Sequence, residues 1–571
     1  MERWVLLRKG ADFEAISRKY GISRRLAALI RNREIIGDEA VDAYLNGSLT
    51  DFYDGMLMKD MDRAVELLLE KLREHKRIRI IGDYDIDGVN ATYILLEGLA
   101  SLGADADSDI PDRVQDGYGL NRMLIERAYK AGVDTIITCD NGIAAAAEIA
   151  YGKSLGMSVI VTDHHEVPYE EKDGERHYIL PPADAVVDPK REDCGYPFKG
   201  LCGAAVAYKL VEALHEASGL DVEDMDYLIE NVAIATVGDV MDLTGENRVF
   251  VKEGLAMLKR TANPGLRALI NCTGINREAL SAYHIGFILG PCLNASGRLD
   301  TAKRALALLE TRESKEADIL AGDLKALNDN RKDLTEQAVE EAVKLVEETS
   351  IHDDRVLVIY LPDCHESLAG IVAGKVRERF YRPVFVLTNA KDGVKGSGRS
   401  IEAYSMYEEL TRCRHLFTKY GGHPLAAGVS LSLENVEEFR RLLNENCTLG
   451  EEELTEKVVI DMELPFSAVT EEFIRELSLL EPFGKGNTKP VFAGREIVFR
   501  DVRIIGKNRN VLKAKVCDRT GVWLEGLYFG DVNRMEHTLM ERRDTLSVTF
   551  YPGVNEYMGR RSLQIIITHY K

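Results

Sequence analysis

Between residues 77 and 187 short apolar runs recur at regular intervals (RIRIIG, VDTIITC, MSVIVT and ADAVV), each separated from the next by a segment with helical spacing. Brief runs rich in Val, Ile and Thr, bounded by Gly, Asp and Asn, predict strands. Their alternation with helices predicts a parallel, doubly wound α/β sheet, and ligands bind such sheets at the carboxyl ends of the strands. Residues 1–70 alternate short apolar-periodic stretches with polar turns and predict small helices. Residues 301–348 contain no Pro, a single glycine at Gly322, and many Ala, Leu, Lys and Glu, which predicts one long helix or two abutting helices joining two lobes. A second α/β region follows, with strands at VLVIYL and PVFVL and a helix at ESLAGIVAGKVRERF. Beyond about residue 453, short alternating strands between Gly, Asn and Asp turns predict a small β-barrel.

At 571 residues the chain exceeds what one core serves, which fits about three domains. No run approaches the ~20 apolar residues of a membrane helix. The opening MERWVLLRKG lacks the apolar core and cleavage site of a signal peptide, so a cytoplasmic location is expected. The nine cysteines are scattered without a CxxC pair and read as reduced thiols. A net charge of −21 argues against a nucleic-acid partner when taken over the whole chain. Residues 491–571, however, carry 14 Lys and Arg against 9 Asp and Glu, a local +5 that leaves −26 for the remainder. A polyanion can therefore be held locally.

The chemistry gathers at predicted strand ends. GDYDIDG places Asp83, Asp85 and Asp87 after the first strand. Three carboxylates so close repel one another unless a cation sits between them, and hard oxygen ligands suit Mg²⁺ or Mn²⁺; an Asp-rich turn capping the next helix is the plain alternative. The second strand ends in TCDNG with Asp140, and the third in TDHHE with Asp163, His164 and His165. Helix capping does not call for paired histidines, so the convergence favours a metal centre. Asp239, in ATVGDVMDLTGENR, follows an apolar helical stretch and on its own reads as a cap or turn residue.

GDYDIDG, CDNG, TDHH and VGDV follow the order of the four motifs of the DHH phosphoesterase superfamily, which this sequence resembles. PDRVQDGYGL (111–120), LCGAAVAYK (201–209), PCLNASGRLDTA (291–302), KGSGRS (395–400), GGHPLAAG (421–428) and LEPFGKGN (480–487) resemble its RecJ branch in particular. The resemblance implies an α/β architecture with a DHH parallel-sheet domain, a connecting helix, a DHHA1 α/β domain and a C-terminal OB-like β-barrel. On this reading residues 1–70 are a helical extension, 71–300 the catalytic domain, 301–348 the connecting helix, 349–452 the DHHA1 domain and 453–571 the OB fold.

The implied activity is 5′-to-3′ hydrolysis of single-stranded DNA by two Mn²⁺ or Mg²⁺ ions, serving repair and recombination, with a helicase and a single-strand-binding protein as candidate partners. The implied metal ligands are Asp83, Asp85, Asp140, His164 and Asp239, with His165 beside them near the scissile phosphate and Asp163 as its catalytic companion. Asp87 is less firmly implied. Arg113, Arg298, Ser397 and Arg399 would hold phosphates, including the 5′ end, and His423 would stand on a Gly-Gly turn beside them.

Some positions depart from the family pattern. Cys364-His365-Glu366-Ser367 replaces a Trp-His pair followed by Gly, Asp188 stands where Asn is frequent, and Gly398 where Ala is common. In the predicted barrel, Trp523, Tyr528, Phe529 and Tyr557 suit base stacking or a core equally. Two rival readings are a small-substrate DHH phosphatase, which would lack the N-terminal and C-terminal regions, and an inactive DNA-binding scaffold, which would have lost ligands that are intact here.

Overall fold

The computed structural model describes residues 2–112, 119–172, 174–391, 393–542, 546–557 and 559–571. Five parallel strands form the first sheet in the spatial order Ala106–Asp109, Ile78–Gly82, Thr135–Cys139, Ser158–Thr162 and Ala185–Val187. Four of them are the predicted apolar runs. The fifth, Ala106–Asp109, has the sequence ADSD and lies at the edge, where Asp107 pairs with Arg79 on the next strand rather than entering a core. The chain leaves the Ile78–Gly82 strand to one side and later returns on the other. A crevice therefore opens at the carboxyl ends of Ile78–Gly82 and Thr135–Cys139, the switch point at which doubly wound sheets bind ligands.

Behind the sheet, helices Ile86–Ser101, Gly203–Ala217 and Ile229–Gly238 are apolar over most of their surface and share one core with it. The connecting segment is two helices, Lys303–Glu310 and Ser314–Glu348. The second has 35 residues, which makes a rod of about 50 Å. Ala317, Ala321 and Leu324 near its start belong to the first lobe's core, and Ala338, Ala342 and Val346 near its end to a core of the second. One rigid element thus has a stake in both lobes and fixes their spacing.

The second lobe is a five-stranded sheet in the order Phe417–His423, Ala426–Leu431, Gly393–Arg399, Val384–Ala390 and Leu357–Tyr360. Only the last pair is parallel, joined through helix Ala369–Phe380. The C-terminal sheet runs Met462–Glu463, Phe492–Ile505, Val511–Cys517, Trp523–Tyr528, Arg560–Tyr570 and Leu546–Tyr557, and an added pairing of the last strand with Phe492–Ile505 closes it into a barrel.

The first residues are not purely helical. Glu2–Leu6 is a strand lying parallel to Glu456–Ile460, and Leu26, Leu29, Ile30 and Val41 from the helices that follow are buried against Phe466, Phe473 and Phe492 of the C-terminal region. Arg33 fastens the same contact by donating to Asn487 Oδ1 at 2.9 Å and to the Thr488 carbonyl at 2.7 Å. The two ends of the chain form one physical unit. All nine cysteines are free thiols, and no described helix is long and apolar enough to cross a membrane.

Candidate metal centre and phosphate cleft

Asp83 follows the Ile78–Gly82 strand directly and is buried. Its Oδ1 accepts from the Gly119 backbone N–H at 3.3 Å, whereas its Oδ2 has no hydrogen-bond partner among the described residues. Asp85 caps helix Ile86–Ser101, accepting from the N–H groups of Asp87 at 2.9 Å and Gly88 at 3.1 Å. The capping role anticipated as an alternative and a place in the cluster therefore coexist. The Asn294 side chain accepts from Ile86 N–H at 2.9 Å and steadies the same turn from helix Gly290–Leu299.

Asp140 leaves the second central strand with a left-handed φ of 60°, and Gly203 lies close against it. A Cβ added to Gly203 would sit 2.7 Å from the Asp140 Cβ, so only glycine fits at this first turn of helix Gly203–Ala217. Neither Gly203 nor Asn294 was singled out from the sequence. Both are uncharged residues within longer motifs, with no charge of their own to advertise a role.

His164 Nε2 lies 3.0 Å from Asp140 Oδ1, 3.5 Å from Asp87 Oδ2 and 3.8 Å from Asp239 Oδ2. Asp239 is the C-terminal cap of helix Ile229–Gly238. At this site, ligand-capable atoms come within 4.8 Å of one another in three sets among the described residues: Asp83 with Asp85 and Asp140, Asp87 with His164 and Asp239, and Asp140 with His164 and His165. Asp140 and His164 are each shared between sets. Asp87, uncertain from sequence, is fully buried and accepts from Gly203 and Ala204 N–H at 2.7 Å each, which anchors the N-terminus of the Gly203–Ala217 helix beside the cluster.

Asp163 has a different job. Its Oδ1 accepts from His165 Nδ1 at 2.7 Å and from the His164 backbone N–H, and its Oδ2 from Ile143 N–H at 2.9 Å. Oδ1 thus holds the His-His segment and Oδ2 the loop that follows strand Thr135–Cys139, so Asp163 ties the two together.

The electrostatics follow from crowding. Burial raises Asp83 and Asp140 well above the usual carboxylate range, with the neighbouring aspartates adding to it. Burial and then Asp87 and Asp85 push Asp239 up to about 8, and burial pushes Asp87 up to about 7. Burial lowers His164 to about 3, so its imidazole is neutral and available as a donor to a metal. Burial also opposes the charge on His165, but the hydrogen bond and charge of Asp163 outweigh it and push His165 up to about 9. Burial likewise resists ionisation of Asp163, yet its bond to His165 holds it below the usual range. Carboxylates strained in this way, an unpartnered buried oxygen on Asp83 and a neutral imidazole fit a site for hard divalent cations.

A cleft of about 460 Å³ lies between Tyr84 of the first lobe and the second lobe. Tyr84, between two of the clustered aspartates, forms one wall; Ser397, Lys395 and Lys419 form another, and Glu366 and Ser367 lie on the loop between. Along strand Gly393–Arg399 the side chains alternate. Gly396 and Gly398 face inward, where a Cβ would collide with Leu387 and with Phe385 and Met406, and Lys395, Ser397 and Arg399 take the other face. The glycines thus make room for the core. The Arg399 guanidinium lies against Gly370 in the first turn of helix Ala369–Phe380.

Arg298 spans the lobes, donating to the Ser367 carbonyl at 3.0 Å. His365, in the stretch that departs from the family pattern, lies 2.7 Å from Ser367 Oγ through Nδ1 and shapes that loop. His423 is not on a Gly-Gly turn: Gly421 and Gly422 are in strand Phe417–His423, the turn is Pro424–Leu425, and the exposed His423 ring accepts from Leu425 N–H. It is not among the residues lining the cleft. Arg113 lies outside the described residues.

On the other side of Asp239, a groove of about 1290 Å³ runs between the first lobe and the loop at 478–489. Tyr283 and Phe287 stand exposed on its wall with ring centroids 4.9 Å apart and nearly parallel planes, and Lys259, Lys485 and Lys489 line it. The sequence did not mark these aromatics, which sit in a helical apolar run that reads as core. In the barrel, Trp523 and Phe529 are exposed and Tyr528 is buried.

Strand-end aspartates and a His-His pair at the switch point of a parallel sheet, facing a second α/β lobe across a cleft, define a metal-dependent phosphoesterase of the DHH class. Family models agree: the N-terminal domain of the DHH family matches residues 77–236, the DHHA1 domain 353–448 and the RecJ OB domain 460–569. The single-stranded-DNA-specific exonuclease RecJ of Bacillus subtilis is 35% identical over 570 residues, covering 99% of this chain and 70% of that one. Its counterpart from Escherichia coli is 34% identical over 531 residues, covering 89% and 90%. The crystal structure of RecJ from Thermus thermophilus in complex with Mn²⁺ superimposes with a TM-score of 0.82 at 28% identity, covering all of this chain and 79% of that one. The chain belongs to the RecJ family of exonucleases.

Proposed function

We infer that the chain removes nucleotides from the 5′ end of single-stranded DNA by hydrolysis at a pair of divalent cations, in repair and recombination. One observation carries this reading: Tyr84, set between Asp83 and Asp85, shares a cleft with Ser397 and Lys395, so the cation loop and the anion-binding strand face one cavity. The sharing of Asp140 and His164 between ligand sets supports two ions rather than one. When bound, such ions activate water for attack and offset charge at the phosphate. The protein's own groups orient the rest. Asp163 fixes the His165 ring through Nδ1, and the charged imidazole is left to donate a proton or hydrogen bond at a phosphate oxygen.

Ser397 and Arg399, beside the first turn of helix Ala369–Phe380, suit a terminal phosphate. Capture of that end at a fixed distance from Asp83 selects the bond to be cut, which gives 5′-to-3′ polarity. The Tyr283–Phe287 stack among lysines supports a path for single-stranded bases. A helicase and a single-strand-binding protein that supply an unpaired strand are the partners that fit this reading, with the cytoplasm as its setting. The test is Arg399→Ala on oligonucleotides with and without a 5′ phosphate. Loss of discrimination between them is expected; unchanged discrimination, or release of nucleotides from the 3′ end by the wild type, overturns the reading.

A further inference from the structure

We propose that Glu366 is a counter-charge built into the terminal-phosphate cleft, competing with the phosphate for Lys395 and thereby setting how readily the cleft gives up its product. This rests on the reading of the cleft given above.

A carboxylate is out of place in a pocket for an anion unless it is already neutralised, and Glu366 is: its Oε2 lies 2.9 Å from Lys395 Nζ, and both side chains line the cleft. The pair bridges two elements, because Glu366 is on the loop before helix Ala369–Phe380 and Lys395 is on strand Gly393–Arg399. The side chains are 25% and 53% exposed, so water reaches the contact and the pair can exchange partners. Lysine suits such an exchange. Its ammonium is a point charge on a flexible stem and trades a carboxylate for a phosphate without the fork geometry an arginine would impose.

Lys395 lies two residues from Ser397 on the same face of the strand, so a phosphate bound at Ser397 is within its reach, and Lys419 lines the same cleft. Hydrolysis from a 5′ end releases a mononucleotide whose phosphate occupies this cleft. With Lys395 and Lys419 alone the departing dianion would leave two uncompensated cations behind. With Glu366 present, Lys395 has a partner waiting, and the phosphate is held less tightly.

If Glu366 merely oriented Lys395 for the phosphate, its loss would weaken phosphate binding; as a competitor, its loss strengthens it. The sign separates the two. In the full-length protein with Mn²⁺, the inhibition constant of thymidine 5′-monophosphate is measured against hydrolysis of a 5′-phosphorylated single strand for wild type, Glu366→Gln, Lys395→Gln and the double variant. Glu366→Gln is expected to lower the constant about two- to fivefold, the range for a partly exposed ion pair. Lys395→Gln is expected to raise it, and Glu366→Gln should have no effect in the Lys395→Gln background. A constant that is unchanged or raised in Glu366→Gln, or that falls equally in both backgrounds, overturns the proposal. If Arg399→Ala fails to alter 5′-phosphate discrimination, the cleft reading falls and this proposal with it; if Arg399→Ala succeeds while Glu366→Gln is flat, only this proposal falls.

Discussion

Gly203→Ala adds one methyl group at the point where the Gly203–Ala217 helix meets the metal centre. The new carbon would lie 2.7 Å from Asp140 Cβ, 3.0 Å from its Cα and 3.1 Å from its Cγ. Carbon atoms rest about 3.5 Å apart or more, so roughly 0.8 Å of movement is needed. Asp140 cannot move freely, being fixed at the end of a central strand, and the helix start is tied by the 2.7 Å bond from Gly203 N–H to Asp87. Whichever yields, either the 3.0 Å approach of Asp140 to His164 or the Asp87 anchor opens. Misplacement of a reacting group by about 1 Å lowers a rate about 100-fold, whereas overpacking one buried site destabilises by about 1–3 kcal/mol.

The assay pairs the initial rate on a 5′-labelled single strand at saturating Mn²⁺ with thermal unfolding in EDTA. A loss of about two orders of magnitude in rate with a cooperative, moderately lowered transition is expected. Gly152→Ala, where the added carbon meets nothing nearer than 3.6 Å, serves as the comparison and should keep the wild-type rate. A folded Gly203→Ala protein hydrolysing at the wild-type rate would refute the claim that this contact sets the position of Asp140.

Other outcomes follow from the same geometry. Asp140→Asn should abolish hydrolysis yet raise the unfolding temperature in EDTA, because it removes a buried carboxylate crowded by Asp87, Asp85 and Asp83; a lowered temperature would count against the repulsion. Glu230 is buried, accepts from Thr261 Oγ1 at 2.7 Å, and is pushed up to about 7 by burial. Its folded value lies above its unfolded one, so its stabilising contribution is full below about pH 4.5 and is lost as pH rises through about 7. Glu230→Gln should therefore raise the unfolding temperature at pH 8, by the equivalent of up to about 3 kcal/mol, and leave it unchanged near pH 4; an equal shift at both values would refute this. Lys507→Ala and Arg509→Ala, at exposed barrel positions, should each reduce the salt slope of single-strand binding by about 1 while sparing cleavage of dinucleotides. Equal losses on long and short substrates would remove the barrel from the binding surface.

The parallel sheet was legible because its central strands are mostly buried and read as runs dominated by Val, Ile and Thr. Ala106–Asp109 was not, since an edge strand that answers to Arg79 needs no apolar run. The acidic cluster was visible because its members are charged and sit at strand ends. What the sequence hid is the neutral scaffolding: Gly203 as a missing side chain, Asn294 as one hydrogen bond, and backbone N–H groups holding Asp87 and Asp163. Such roles depend on what is nearby in space, and residues 87 and 203 meet only in the folded chain. Ser397 and Arg399 were legible as phosphate-binding residue types, whereas the core role of Gly396 and Gly398 was not, because the period-two alternation of Lys395 to Arg399 is seen only once the strand's core side is known.

The pairing of Glu2–Leu6 with Glu456–Ile460, and the burial of Val41 in one core with Leu464, bear on how the protein is made. More than four hundred residues separate these partners, so at ribosomal rates of about 5–20 residues per second the first helices emerge about 20 to 80 s before the barrel that buries them. The first lobe can close around its own sheet during that interval. Leu26, Leu29 and Ile30 cannot be buried in the same way, and the nascent chain carries their apolar face unsatisfied through most of translation, a natural point of engagement for a chaperone and the region in which a stalled or truncated product would first aggregate.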